Sequence, residues 1–377
     1  MTYRSFGRTG WDVSALGFGC MRLPTRGGPA EIDEPLAIGM IRRGIDAGVN
    51  YIDTAWPYHG GTSEVLVGKA LRDGYRGKVK LATKLPLWQL TEVAECDRIF
   101  DEQLAKLQTD RIDCYLLHAL GRQSWDKVRR LGVLEWAARQ KARGRIGWIG
   151  FSFHDEFPVF QEIIDGWDDW TFCQIQYNYM NETTQAGTKG LKLAAERGLA
   201  VVVMEPLLGG SLANPPPAVR GLWDAAGQKR SPAEWALQWL WDKPEVSVVL
   251  SGMTAMDQVE ENLAAVDRSR VGMLTKSDAE LVAHVAEVYT SLRPVPCTQC
   301  RYCMPCPSGV DIPRNLDLYN NMVMYNWPHT ARGSYSFMKE TERASACTAC
   351  LQCEEKCPQQ IVVHEWMKCL AAEMAAK

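Results

Sequence analysis

Eight short apolar runs, at 15–18, 49–52, 79–83, 112–117, 146–149, 172–175, 200–203 and 246–250, alternate with stretches of helical periodicity. In the stretch 97–107, for example, Phe100, Leu104 and Leu107 stand at i, i+4 and i+7. Strand then helix, repeated eight times over about 250 residues, has the size and rhythm of an α/β protein folded as a (β/α)8 TIM barrel. A doubly wound open sheet is the competing architecture. Against it, no run is followed by a G-x-G-x-x-G fingerprint, and the ionisable groups fall after successive runs rather than at one switch point. Residues 3–13, with Gly7 and Thr9-Gly10 as turn signals, read as a hairpin ahead of the first buried strand.

Three successive runs deliver an ionisable group at their C-terminal end. Asp53 closes the second, Lys84 the third and His118 the fourth, while Tyr58 follows five positions after Asp53. In a parallel barrel, that end is the face where catalytic groups gather. Singly, each has a structural explanation: a cap for Asp53, a solvated rim for Lys84, a surface aromatic for Tyr58, a satisfied strand-end histidine for His118. Together they make a proton-donating site. Reducing a carbonyl by hydride transfer leaves an alkoxide that must be protonated. A free phenol, with a pKa of about 10, is a reluctant donor. A lysine ammonium beside Tyr58 is expected to lower that pKa, with Asp53 holding Lys84 charged and His118 donating to the substrate oxygen or relaying a proton.

The net charge is only -3 and no long basic run occurs, so neither nucleic acid nor an anionic membrane is an expected partner. The N-terminus carries no apolar signal core, and no apolar span reaches membrane length, which reads as a soluble cytoplasmic protein. Nine of the 13 cysteines lie at or beyond Cys297, and such clustering points to metal rather than disulfides. Arg293-Pro294-Val295-Pro296 reads as a stiff linker. It divides a barrel at 1–293 from a cysteine-rich domain at 294–377.

That second domain holds Cys297-x2-Cys300-x2-Cys303-x2-Cys306-Pro307 and Cys347-x2-Cys350-x2-Cys353-x3-Cys357-Pro358. The second run has the full bacterial ferredoxin spacing, and the first is one residue shorter before its last cysteine. In two-cluster ferredoxins the last cysteine of each run ligates the other cluster. The expected ligand sets of two [4Fe-4S] clusters are then Cys297, Cys300, Cys303 and Cys357, and Cys347, Cys350, Cys353 and Cys306. Zinc is the alternative, since it also takes paired C-x2-C units. Cys369 belongs to neither run and reads as a helix residue. Residues 311–326 between the runs read as a helix, with Ile312, Leu316, Tyr319 and Val323 on one face.

The first 293 residues resemble the aldo-keto reductase family. The resemblance rests on Phe6-Gly7-Arg8-Thr9-Gly10, Leu16-Gly17-Phe18-Gly19, Tyr51-Ile52-Asp53-Thr54-Ala55 with Tyr58, Ala82-Thr83-Lys84, Leu116-Leu117-His118, Gly150-Phe151-Ser152, Gln174-Ile175-Gln176-Tyr177-Asn178 and Glu261-Asn262-Leu263. It implies the eight-fold barrel, an extended nicotinamide cofactor (NAD or NADP) and a tetrad of Asp53, Tyr58, Lys84 and His118. It also puts Ser152 and Gln174 at the nicotinamide carboxamide, with Phe153 where many members have asparagine. By the same resemblance, Met204 replaces an aromatic that stacks on the ring, and Glu261 and Asn262 contact adenine. The segment 250–258, which includes Gly252, Met253 and Gln258, has no Lys or Arg where members grip the 2′-phosphate of NADP, so no strong NADP preference is expected.

The expected function is reversible carbonyl/alcohol hydride transfer on a small substrate, with the clusters passing electrons, to a ferredoxin-like partner for example, or acting as a structural clamp. A cofactor-sensing or electron-carrier protein without turnover is the alternative. Substrate choice lies in the loops beyond the strands, where Trp56, Trp88 and Trp125 are candidates equally for the mouth and for packing.

Overall fold

A computed structural model describes residues 1–28 and 30–375. Strands β1 (Tyr3–Ser5) and β2 (Asp12–Ser14) form the antiparallel hairpin. Eight parallel strands then close a barrel: β3 (Leu16–Gly19), β4 (Tyr51–Asp53), β5 (Lys80–Leu85), β6 (Ile112–Leu120), β7 (Ile146–Phe153), β8 (Phe172–Gln176), β9 (Ala200–Met204) and β10 (Val248–Gly252). They pair in chain order, and β10 returns to β3. Each expected run is a strand, and closure leaves no edge.

The hairpin fills the N-terminal mouth of the barrel. Phe6, fully buried, packs against Tyr51 and Phe172, the first residues of β4 and β8, with ring centroids 5.9 and 5.4 Å away. Trp11 and Trp148 cover the same plug. Burying such a ring contributes about 2 kcal/mol. Gly7, at φ 54°, makes the approach possible, since a Cβ there would lie 2.6 Å from the Ala200 backbone nitrogen. With the N-terminal mouth filled by aromatics, the C-terminal mouth is left for chemistry.

The helices follow from their apolar spacing. In α1 (Glu34–Asp46) the buried residues are Ala37, Met40, Ile41, Gly44 and Ile45, a single stripe, and the Asp33 carboxylate caps the Leu36 N–H. Helix α2 (Ser63–Ala70) buries Ser63 and Glu64 at its start. Helix α3 (Ala94–Leu107) buries Phe100, Leu104 and Leu107 as expected, and also the polar Gln103.

The chain divides into two compact units, Met1–Gly209 with Ala233–Lys276, and Gly210–Pro232 with Ser277 onward. Arg293 to Pro296 therefore lies inside the second unit. That unit has its own core, in which Ile312 and Leu316 of the helix Ile312–Met324 meet Val363, Met367 and Leu370 of the helix Val363–Ala375. Among the described residues no helix is long and apolar enough to cross a membrane.

Candidate active site and cluster ligands

Asp53, Lys84 and His118 sit in the last residues of β4, β5 and β6, rather than just past them. Because neighbouring parallel strands are in register, Asp53 opposite Ala82 and Lys84 opposite Leu116, the groups converge on one rim. The Lys84 ammonium donates to Asp53 Oδ1 at 2.7 Å, to Asp53 Oδ2 at 2.9 Å, to the Thr54 carbonyl at 2.9 Å and to the Tyr58 hydroxyl at 3.4 Å. Both members of the ion pair are buried. The His118 ring stands edge-on to Tyr58, with centroids 6.3 Å apart.

Electrostatics here differ from the sequence expectation in one respect. Burial pushes the Tyr58 phenol above its ordinary pKa, and Lys84 opposes the rise without overcoming it. The phenol therefore stays protonated, in the form a donor needs. Burial also works against the Lys84 ammonium, but Asp53 and Tyr58 together hold it above its ordinary value. Burial, then Lys84 and His154, push His118 down to about 3, so its imidazole is neutral. His118 Nδ1 is buried with no hydrogen-bond partner among the described residues, and the exposed Trp88 ring lies 5.0 Å from the imidazole. Of the other tryptophans, Trp125 is fully buried beside Trp170, and Trp56 is half-buried beneath the Lys106 ammonium.

The expected cofactor residues occupy the other side of the rim. Ser152 and Gln174 face each other in register on β7 and β8. The Ser152 hydroxyl accepts from the Ala119 N–H at 2.8 Å, while Gln174 donates toward Met204 Sδ at 3.6 Å. Gln174 Oε1 is buried with no hydrogen-bond partner among the described residues, a position that suits an amide donor from a ligand. Gly252 is exposed at the end of β10. Gln258 accepts from the Thr254 N–H at 2.8 Å, and Asn262 donates to Ser251 at 2.9 Å, so both brace their own loop, while Glu261 is exposed.

The structure adds a cation that the 250–258 segment lacks. Arg22, three residues past β3, lies along Gly252, where an added Cβ would come within 3.2 Å of the Arg22 Cβ. Its guanidinium is 3.0 Å from Glu205, the residue after β9. Both stand within three residues of a strand's C-terminal end, a weaker form of the signal that marked Asp53 and Lys84.

In the second unit, Cys297, Cys300, Cys303 and Cys357 line one hollow, together with Ile312, Leu316, Ile361 and Val363. The last cysteine of the second run thus joins the first three of the first run. Among the described residues no three ligating side chains converge as they would around a single ion. The thiols instead surround a space. Both loops bend alike: Gln299 and Arg301 flank Cys300 at φ 57° and 62°, and Ala349 and Leu351 flank Cys350 at 54° and 63°. Left-handed non-glycine residues are costly and cluster at ligand clamps. Four thiolate donors in an apolar pocket, ringed by such turns, fit an iron-sulfur cluster.

Two buried asparagines of the helix Ile312–Met324 hold the approaches. Asn320 exchanges hydrogen bonds of 2.9 Å with the Val295 N–H and C=O, two residues before Cys297. Asn315 accepts from the Ala344 N–H at 2.9 Å, three residues before Cys347. Cys306, Cys347 and Cys353 pack against the same core, Cys350 is exposed, and Cys369 lies 3.5 Å from the Tyr319 hydroxyl.

A closed parallel barrel with a buried ion pair and a phenol on its C-terminal rim, in a chain with a second unit rich in cysteines, defines a two-part (β/α)8 protein. The chain belongs to the aldo/keto reductase family: residues 15–283 match that family, and residues 296–362 match the 4Fe-4S dicluster domain. It is 29% identical over 302 residues to L-galactose dehydrogenase of Arabidopsis thaliana, covering 74% of this chain and 93% of that protein. The holo form of aldo-keto reductase AKR11C1 from Bacillus halodurans is similar in structure, with 27% identity, a TM-score of 0.63 and coverage of 76% of this chain and 96% of that one. An aldo-keto reductase from Klebsiella pneumoniae in complex with NADPH, 24% identical with a TM-score of 0.61, covers 76% and 96% and shares the fold.

Proposed function

We propose that the barrel, residues 1–293, catalyses reversible carbonyl/alcohol hydride transfer with a nicotinamide cofactor. We further propose that residues 294–377 carry two [4Fe-4S] clusters that exchange single electrons with a ferredoxin-like partner in the cytoplasm. The observation that carries the first part is the Lys84 ammonium shared between Asp53 and the Tyr58 hydroxyl. A bound nicotinamide supplies or accepts the hydride. In the reducing direction Tyr58 gives its proton to the developing alkoxide, and the phenolate left behind is stabilised by Lys84. Asp53 keeps that ammonium charged and fixed, while neutral His118 donates one N–H to the substrate oxygen. Gln174 Oε1 offers an acceptor for the cofactor amide, and Ser152, Met204, Gly252, Gln258, Glu261 and Asn262 complete the groove.

The similarity to L-galactose dehydrogenase supports including sugars among the substrates. For the second unit, the hollow shared by Cys297, Cys300, Cys303 and Cys357 supports the exchanged ligand set, with Cys347, Cys350, Cys353 and Cys306 holding the other cluster.

The test is anaerobic turnover of NADH and NADPH with aldehydes, ketones and sugars, comparing the chain with Tyr58→Phe. Loss of turnover on the order of a hundredfold or more in the variant, with cofactor binding retained, is the expected result. Tight cofactor binding with no turnover by the unaltered chain would replace this reading with a sensor.

A further inference from the structure

Beneath the rim, a second charge pair, one buried and one partly exposed, touches both the loop that carries Tyr58 and the strand that carries Lys84. Glu64, on the first turn of α2, is entirely buried. Its Oε1 accepts from the Thr83 hydroxyl at 2.7 Å and from Gln103 Nε2 at 2.7 Å. The same Gln103 amide donates to the Lys84 carbonyl at 3.0 Å, and its oxygen accepts from the Tyr115 hydroxyl at 2.7 Å. Glu64 is thus tied to β5 by the side chain of Thr83, the residue before Lys84, and, through Gln103, to the Lys84 carbonyl.

The cation facing Glu64 is Lys106, near the end of α3. Its ammonium is 3.8 Å from Glu64 Oε2 and, on the solvent side, 3.2 Å from Glu102. It also lies 3.7 Å from the centre of the Trp56 ring, well within cation–π range. Trp56 is two residues before Tyr58, in the loop that leaves Asp53. Gly68 makes this contact possible, because a Cβ there would stand 2.5 Å from the Lys106 carbonyl oxygen and force α2 and α3 apart.

We propose that Lys106 is a positioning residue, whose single ammonium ties the Tyr58 loop, through Trp56, to the end of the Lys84 strand, through Glu64. This rests on the reading of Tyr58 and Lys84 as the proton-donating pair. Lys106 touches no reacting atom. Its task is to hold the phenol and the ammonium in register from behind, at the 3.4 Å Tyr58–Lys84 contact.

The variant that tests this is Lys106→Met, which keeps most of the stem and removes the charge. Two measurements apply to the holoprotein. In turnover, kcat is expected to fall on the order of tenfold to a hundredfold with KM unchanged, because misplacement of a catalytic group acts on the chemical step. Lys106→Arg, which keeps a cation over the ring, is expected to restore most of the rate. Independently of turnover, the Tyr58 phenol is titrated by ultraviolet difference against Tyr58→Phe, and Lys106→Met is expected to move it upward as Lys84 loses its hold.

If the chain reduces no carbonyl yet the titration shifts upward, the reductase reading fails while the positioning role stands. If the titration does not move and kcat, where measurable, is unchanged, the positioning role is wrong. Should Lys106→Met not fold, Trp56→Leu removes the aromatic face and leaves the Lys106–Glu64 pair. The same upward shift is expected there, and its absence overturns the proposal.

Discussion

The Lys84 ammonium bridges both carboxylate oxygens of Asp53, at 2.7 and 2.9 Å, with 1% and 2% of the two residues exposed. Removing one partner leaves a buried charge unmatched, at a cost of about 3–5 kcal/mol. Asp53→Asn is therefore expected to destabilise the barrel by that order. The double variant Asp53→Asn with Lys84→Met should recover part of the loss, because no isolated charge remains. Urea unfolding followed by far-ultraviolet circular dichroism checks both. Equal losses in the single and double variants would mean that the pair is not acting as a buried charge pair.

His118 sets a pH dependence whose sign follows from its environment. Its folded pKa, about 3, lies below the unfolded value of about 6.5. Between those limits the unfolded chain binds a proton that the folded one does not, so stability falls as pH drops below 6.5 and is unaffected by this group above it. His118→Gln is expected to flatten that part of the profile. The His118 ring signals in a proton NMR titration should show no inflection near 6.5.

The shared hollow predicts an exchange of ligands between the cysteine runs. Cys357→Ala, although it alters the second run, is expected to impair the cluster held by Cys297, Cys300 and Cys303. Cys306→Ala should impair the other. Iron analysis of the anaerobic protein should give about eight irons, falling toward four in either variant, with different clusters surviving by electron paramagnetic resonance. Retention of the Cys297-side cluster in Cys357→Ala would rule out the crossing.

The 250–258 segment has no cation of its own, and Arg22 is a cation that the fold sets along Gly252. Held 3.0 Å from Glu205, the guanidinium is already paired. NAD and NADP are expected to bind with similar affinity. Glu205→Gln should tighten both in a salt-sensitive way, by freeing a guanidinium for the cofactor phosphates. Fluorescence titration at two ionic strengths reads this out. Much tighter binding of NADP than NAD by the unaltered chain would contradict it.

The eight strands were legible because each is a short apolar run bounded by helical periodicity, and Asp53, Lys84 and His118 were legible because they end such runs. Gln103 carried a readable signal too, as an amide on the apolar stripe of α3 between Phe100 and Leu107. Its partners did not, since Glu64 and Lys106 lie on different helices and only the packing of α2 on α3 brings them together. The direction of the Tyr58 shift was not legible either. A neighbouring lysine can be inferred from strand order, but the depth of burial that outweighs it cannot.

By itself the amino-acid order determined the barrel, the rim on which its ionisable groups stand and the spacing of the two cysteine runs, all of which are local periodicities. Tertiary structure alone decided which side chains of separate elements face each other: Arg22 with Glu205, and Lys106 with Glu64 and Trp56. The physical reason is that local pattern selects an element and its buried face, whereas distances between side chains on separate elements, and the water excluded from between them, exist only once those elements pack.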